Sequence, residues 1–85
     1  MASITVTVGS SVGLHARPAA IISEKAGELA ADVTLAMPGG DEVDAESALM
    51  IMTLGASCGD QVIVSSDDAE ACQVIADLVA ADLDA

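Results

Sequence analysis

One short stretch of the 85 residues gathers the side chains that could do chemistry: residues 13–20, Gly-Leu-His-Ala-Arg-Pro-Ala-Ala. His15 is the only histidine in the sequence, and Arg17 is one of only two basic residues. A ring nitrogen of a neutral imidazole can act as a nucleophile. A guanidinium is a planar fork that matches the oxygens of a phosphate. The pair therefore predicts a histidine that accepts a phosphoryl group.

The residues after His15 predict the helix that would position this chemistry. From Ala16 to about Ala30, apolar residues recur at helical spacing. Pro18 suits the first turn, because a proline lacks the N–H that would have no partner inside the helix. The unpaired amides of Ala16 and Arg17, with the positive end of the helix dipole, would form an anion site beside the imidazole. A lone histidine near a helix start is more often a cap or a surface residue, and residue types alone leave that alternative open.

The contiguous string Gly-Leu-His-Ala-Arg-Pro-Ala at residues 13–19 closely resembles the active-site segment of HPr, the histidine-containing phosphocarrier of the sugar phosphotransferase system. The resemblance extends over nearly the whole chain in length and element order. It implies that His15 is phosphorylated on Nδ1 and that Arg17 helps to hold the phosphoryl group. It also implies a carrier rather than an enzyme, without a cofactor, which takes the group from phosphoenolpyruvate-dependent enzyme I and gives it to enzyme IIA components during sugar uptake.

Residues 47–55, Ser-Ala-Leu-Met-Ile-Met-Thr-Leu-Gly, predict a short helix that is capped by Asp44 or Ser47 and closed by Gly55. Its large apolar side chains cannot all face the core at helical spacing. An exposed Met and Leu patch would suit docking to several partners, although four core residues are an equally open reading. The HPr resemblance implies partner contacts in this helix and beside the histidine. The expected contacts are Leu14, Ala48, Leu49 and Met52, of which Ala48 is shorter than the aliphatic residue expected there.

Ser47 is also where the resemblance implies a regulatory serine that a dedicated kinase and phosphatase modify in some HPr lineages. A phosphate at a helix start gains from the helix dipole. However, Asp44 and Glu46 flank Ser47, and no basic residue lies near it in sequence. The added charge would be repelled, so a serine that only caps the helix is the favoured interpretation.

Length and composition favour a protein that presents a surface site to other proteins. A single domain over residues 1–85 buries only about 60% of the surface of its unfolded chain, which leaves no room for a deep cavity. Of the residues, 53% are apolar, but none is Phe, Tyr or Trp, so we expect a core of Val, Ile, Leu, Met and Ala. Cys58 and Cys72 match no zinc pattern. Free thiols and no metal site are expected, although a single disulfide stays open.

The charge of the chain excludes several classes of partner. Fourteen acidic residues against two basic ones give a formal net charge of −12, which argues against nucleic acid and anionic membranes. Self-repulsion would be screened at about 1 M salt, where the Debye length is about 3 Å. An ordinary acidic protein and one from a salt-rich, halophilic cytoplasm both fit this charge, and the scarcity of lysine favours the second. No membrane-spanning run or leader is evident, so we expect a cytoplasmic monomer.

Alternation and turn residues along the chain predict the order βαββαβα. This order indicates an α+β, HPr-like open-faced sandwich, with a four-stranded antiparallel sheet and three helices packed on one face. The HPr resemblance implies the same fold. The predicted strands span residues 3–8, 32–37, 42–44 and 61–65, and the predicted helices span 16–30, 47–54 and a segment that begins at Asp67.

Two other classes of function compete with the carrier. An HPr-like regulator would act by contact with a partner, without carrying flux, but the nucleophilic His15 speaks against it. A hydrolase is disfavoured because one histidine, without a neighbouring nucleophile or metal cluster, is not a complete catalytic set.

Overall fold

The computed structural model describes residues 2–81. The described elements follow the predicted order: β1 (Ala2–Thr7), α1 (Ala16–Glu28), β2 (Val33–Ala36), β3 (Val43–Asp44), α2 (Ala48–Thr53), β4 (Gln61–Ser66) and α3 (Ala69–Ala80). The four strands form one sheet in the order β1-β4-β2-β3, and every neighbouring pair is antiparallel. Helix α3 lies across β1, β4 and β2, while α1 packs against α3 and α2. The predicted α+β open-faced sandwich is confirmed.

Strict alternation in β1 separates the two faces of the sheet. Ile4 and Val6 point towards the helices, where their pairing partners in β4 are the buried Val64 and Val62. On the other face the register places small polar residues side by side, because hydrogen-bonding side chains tolerate water there. One such row crosses the sheet through Ser3, Ser65, Thr34 and Asp44.

The core is built without an aromatic residue. All three helices and the strands β2 and β4 contribute large aliphatic side chains with an exposed fraction of 0%. Burial of such a side chain contributes about 1.5–3 kcal/mol. Of the four methionines, the expectation of a core role fails for Met50 and Met52, which are exposed, and Met37 packs only at the edge of the core. Examples of the buried aliphatic side chains are Ile22 of α1, Leu35 of β2, Ile51 of α2, Val64 of β4 and Ile75 of α3.

Several helix boundaries differ from the prediction: α2 spans Ala48–Thr53 rather than 47–54, and cap geometry explains two further differences. Helix α1 ends at Glu28 rather than Ala30, because Leu29 is already extended (φ −83°, ψ 148°), with its N–H bonded to the carbonyl of Ala26. Helix α3 begins at Ala69, since the Asp68 carboxylate caps it by accepting from the amides two and three residues later, at 2.9 and 3.4 Å. Periodicity reports which face of a helix is apolar, whereas these cap geometries decide where it starts and stops.

Both cysteines are free thiols, as expected. Cys58 is exposed, whereas Cys72 is buried in α3 and donates its S–H to the carbonyl of Val64, with an Sγ–O distance of 3.2 Å. Burial raises the pKa of the Cys72 thiol. Within residues 2–81 there is no cluster of three or more His, Cys, Asp or Glu side chains placed to hold a metal ion. The described helices are also too short or too polar to cross a membrane.

Candidate phosphohistidine site

His15 occupies the N-cap position of α1, but its imidazole is not used as a cap. The residue is extended (φ −86°, ψ −163°), and its side chain makes no capping hydrogen bond. Its carbonyl accepts the first helical bond, from the amide of Ala19 at 2.9 Å. The side chain is exposed to solvent. The alternative of a capping histidine is therefore wrong, and the ring is available to another molecule.

The start of α1 leaves backbone amides beside this ring. The amide of Ala19 is used inside the helix, and Pro18 has no N–H to offer. The amides of Ala16 and Arg17 donate to no acceptor within residues 2–81. Both residues are exposed. Unpaired amides at the positive end of a helix dipole are suited to bind anions, and the predicted anion site next to His15 requires this arrangement.

The two cations of the chain have different surroundings. Lys25 lies 3.6 Å from the carboxylate of Glu28 one turn later on α1. Arg17 takes part in no ion pair within the described residues, and its side chain starts from the first turn of the same helix. The N–H donors of a guanidinium that has no carboxylate partner within the protein are available to bind an external anion. Of the two, Arg17 is therefore the one suited to a phosphoryl group at His15.

The turn before His15 rests on the loop that follows α2. Gly13 has φ +76°, and a Cβ there would lie 2.4 Å from the carbonyl oxygen of Ala56 and 2.9 Å from Cα of Ser57. The amide of Leu14 donates to the same Ala56 carbonyl at 3.0 Å. Only glycine combines this positive φ with so close an approach of two backbones. Gly13 thus fixes the approach of the chain to His15.

Leu14 corrects one prediction about the docking surface. Its side chain is only 2% exposed and belongs to the hydrophobic core. A side chain buried to this degree cannot contact a partner in the folded protein. Leu14 instead anchors the residue next to His15, so its apolar character reflects packing rather than recognition.

Helix α2 presents the predicted apolar patch to solvent. Leu49, Met50 and Met52 are 70%, 42% and 37% exposed, whereas Ile51 is fully buried. The reading in which the large residues of this helix are all core is therefore wrong. Ala48 is half-buried and contacts the core. We call Leu49, Met50 and Met52 the α2 patch.

One exposed apolar residue carries no sequence signal of its role. Val12 is 51% exposed in the turn before His15. It stands alone among glycines and serines, so no periodicity marks it as strand, helix or core.

Ser47 rather than Asp44 caps α2. The hydroxyl of Ser47 accepts from the amide of Met50 at 3.3 Å, while the Asp44 carboxylate accepts from the amide of Glu46 at 2.9 Å. Asp44 and Glu46 are both exposed beside the serine. This is the geometry of the capping serine favoured above, with two carboxylates that would repel a phosphate on it.

Comparison with known proteins bears on this arrangement. The family model described as PTS HPr component phosphorylation site matches residues 2–81. The chain is 42% identical over 67 residues to the phosphocarrier protein HPr of Streptomyces coelicolor, which covers 79% of this chain and 72% of that protein.

Solved structures give the same picture. A phosphocarrier protein HPr from Bacillus anthracis superposes with a TM-score of 0.84 at 30% identity, covering 92% of this chain and 95% of the other. The Bacillus subtilis catabolite repression protein Crh superposes with a TM-score of 0.71 at 34% identity, covering 93% of each chain. The sequence string around His15, the sheet order and the family match agree, and the chain belongs to the HPr family of the phosphotransferase system.

Proposed function

We propose that this protein is a cytoplasmic, monomeric phosphocarrier. Nδ1 of His15 accepts a phosphoryl group from enzyme I, which obtains it from phosphoenolpyruvate, and passes the group to enzyme IIA components during sugar uptake. The observation that carries the proposal is the uncapped, exposed imidazole of His15 beside two amides that donate to nothing within residues 2–81. This combination leaves a nucleophile and an anion site side by side.

The transfer exchanges one bond to phosphorus for another. The lone pair on Nδ1 of neutral His15 attacks phosphorus in line with the donor atom, and the donor keeps the electron pair of the bond that breaks. The amides of Ala16 and Arg17 and the guanidinium of Arg17 donate hydrogen bonds to the oxygens of the phosphoryl group during transfer. In the second step, a nucleophile of enzyme IIA attacks phosphorus and the bond between phosphorus and Nδ1 breaks. Nδ1 keeps the electron pair of that bond, so His15 leaves as a neutral imidazole that still carries its proton on Nε2.

In this proposal the chain is a carrier and not an enzyme. Its partners supply the in-line alignment of donor and acceptor atoms. The α2 patch is the surface on which those partners dock. Apolar methionine side chains are flexible enough to fit more than one partner, as a carrier with both a donor and an acceptor requires.

The contact regulator remains the second candidate, favoured by the likeness to Crh. A regulator that acts by contact alone has no use for an uncapped histidine next to an anion site. His15 therefore favours the carrier over the regulator.

The deciding experiment incubates the purified protein with phosphoenolpyruvate and its cognate enzyme I in molar salt, followed by intact-mass and acid-lability analysis. We expect one added phosphoryl group that is lost in acid. The His15→Ala variant should gain none, while the Ser11→Ala variant, changed at an exposed residue of the neighbouring turn, should gain the group as the wild type does. Wild-type protein that is folded but acquires no group would contradict the carrier and favour the regulator.

A further inference from the structure

The turn that leads to His15 is attached to a third part of the fold, the C-terminal end of α3. The amide of Gly9 donates to the carbonyl of Val79 at 3.1 Å, and the hydroxyl of Ser10 donates to the carbonyl of Ala81 at 3.3 Å. The last carbonyls of a helix have no partner within it. Gly9 and Ser10 satisfy two of these carbonyls from outside, and we call these contacts the α3 seam.

The seam is tight enough to exclude any side chain at position 9. A Cβ on Gly9 would lie 2.0 Å from the carbonyl oxygen of Ala80 and 2.8 Å from its carbon. Ser10 is fully buried, one of few polar residues that are buried within residues 2–81. A buried hydroxyl that donates to a backbone carbonyl fixes the position of its own backbone. The position of the backbone at residues 9 and 10 is therefore fixed relative to the C-terminal end of α3.

Ser10 also connects the end of α3 to the turn that precedes His15. Its carbonyl accepts from the amide of Gly13 at 2.9 Å, which closes a turn with Ser11 and Val12 at its exposed tip. Gly13 in turn packs on Ala56, and the next residue but one is His15. The buried serine is thus the fixed end of the turn whose other end delivers the imidazole.

We propose that Ser10 is a positioning residue for phosphoryl transfer: its buried hydroxyl holds the 10–13 turn against the end of α3 and so fixes the direction of the His15 ring relative to the Ala16 and Arg17 amides. The inference rests on the proposed function, because it assigns the residue to that same site. Ser10 touches neither donor nor phosphoryl group. It acts on the rate only through the turn.

The test compares three variants with the wild type. Ser10→Ala removes the hydroxyl, Ser10→Cys keeps a weak donor of similar shape, and Ser11→Ala is the matched control one residue away at the exposed tip. Because positioning errors of about 1 Å cost up to about 100-fold in rate, we expect Ser10→Ala to lower kcat for phosphorylation by enzyme I about 10- to 100-fold. The KM of enzyme I for this protein as its substrate should stay within about twofold of the wild-type value, since the docking surface is unchanged. Ser10→Cys should recover part of kcat, and Ser11→Ala should match the wild type.

A second measurement reads the ring directly and does not depend on phosphorylation. The chain has one histidine and no Phe, Tyr or Trp, so its aromatic proton spectrum contains only the ring protons of His15. Ser10→Ala should move these resonances and Ser11→Ala should not. In Gly9→Ala, the added methyl group would clash with the backbone of Ala80 and so separate residue 9 from α3. This variant should shift the His15 ring resonances in the same direction as Ser10→Ala does.

The outcomes separate positioning from simple stability. A Ser10→Ala variant that melts at a lower temperature but keeps the wild-type kcat and ring resonances would overturn the proposal, because the hydroxyl would then only stabilise the fold. The proposal is equally overturned if Ser11→Ala and Ser10→Ala behave alike. If wild-type protein is not phosphorylated at all, the proposed function fails, while the ring resonances still decide whether Ser10 positions His15.

Discussion

Arg17 combines two roles in one residue, because its amide and its guanidinium both lie at the start of α1. Its backbone N–H is one of the two free donors beside His15, and its side chain is the cation without an ion-pair partner in the described chain. A substitution at this position removes the guanidinium but keeps the amide. Mutation of Arg17 therefore isolates the contribution of the side chain.

We expect Arg17→Ala to lower kcat/KM for phosphorylation by enzyme I about 10- to 100-fold, because a hydrogen bond between charged groups is lost in the transition state. Arg17→Lys should be intermediate, since it keeps the charge but not the fork. Stopped-flow phosphoryl transfer measures both variants.

The matched control is Lys25→Ala, which removes the other cation of the same helix. Lys25 pairs with Glu28 at the surface, and such exposed pairs contribute little to stability. Transfer rates and melting temperature should both stay at wild-type values. A Lys25→Ala variant as slow as Arg17→Ala would show that the total positive charge matters rather than the position of Arg17.

At the scale of elements, the six residues of α2 present one face to solvent and bury the other in the core. Leu49 is 70% exposed, whereas Ile51, two positions further, is completely buried. The same kind of truncation should therefore have opposite consequences on the two faces. This contrast tests the α2 patch without any assumption about the geometry of the complex.

Leu49→Ala should raise the KM of enzyme I for this protein about tenfold, as expected for an apolar residue at the centre of an interface. The melting temperature should not change. Ile51→Ala should instead destabilise the fold by about 2–5 kcal/mol through the cavity it creates. Urea unfolding and steady-state transfer, applied to both variants, separate the two effects. An unchanged KM for Leu49→Ala would remove the α2 patch from the docking surface.

The elements of this fold could be predicted from the sequence, because each has its own local signal. Alternation marked β1, helical spacing marked α1, and the acidic run at Asp67 and Asp68 marked the start of α3. The site could be predicted as far as His15, Arg17 and the two amides, since all lie in one contiguous string. The resemblance to HPr implied partner contacts in α2, where Leu49 and Met52 are exposed, and at Leu14, which is buried.

What could not be predicted depends on contacts between distant parts of the chain. Ser10 and Ala81 are 71 positions apart, and no local pattern relates a serine in a turn to the end of the last helix. The burial of Leu14 has the same origin, because its side chain packs in a core that is assembled from several distant elements. Sequence patterns report which face of an element is apolar, whereas these contacts arise only when the elements have packed.

At the scale of the whole molecule, charge is carried entirely outside the core. Every acidic residue between positions 2 and 81 is exposed, and the described surface holds a single ion pair, between Lys25 and Glu28. Carboxylates that repel one another across such a surface destabilise the compact state in dilute buffer. Salt should therefore stabilise the fold by screening this repulsion.

We expect the melting temperature to rise by about 5 °C or more between about 0.05 and 1 M NaCl, since the Debye length shortens from more than about 10 Å to about 3 Å. Circular dichroism at several salt concentrations measures this. A variant with Glu24→Gln, Asp32→Asn and Asp41→Asn is the control, because it lowers the charge at three exposed positions. Its melting temperature should depend less on salt, and equal dependence in both proteins would contradict the charge argument.

The strand order also has a consequence for biosynthesis. Of the four described strands, β1 leaves the ribosome before the others, yet its only neighbour among them is β4, and β2 likewise borders β4. A nascent chain that has emerged only as far as α2 can join just two of the described strands, β2 and β3. Until residues 61–66 are translated, the apolar faces of Ile4 and Leu35 have no strand between them, and the emerging polypeptide must be kept from aggregating. The four-stranded sheet can therefore be completed only after β4 has emerged, because β4 lies between β1 and β2.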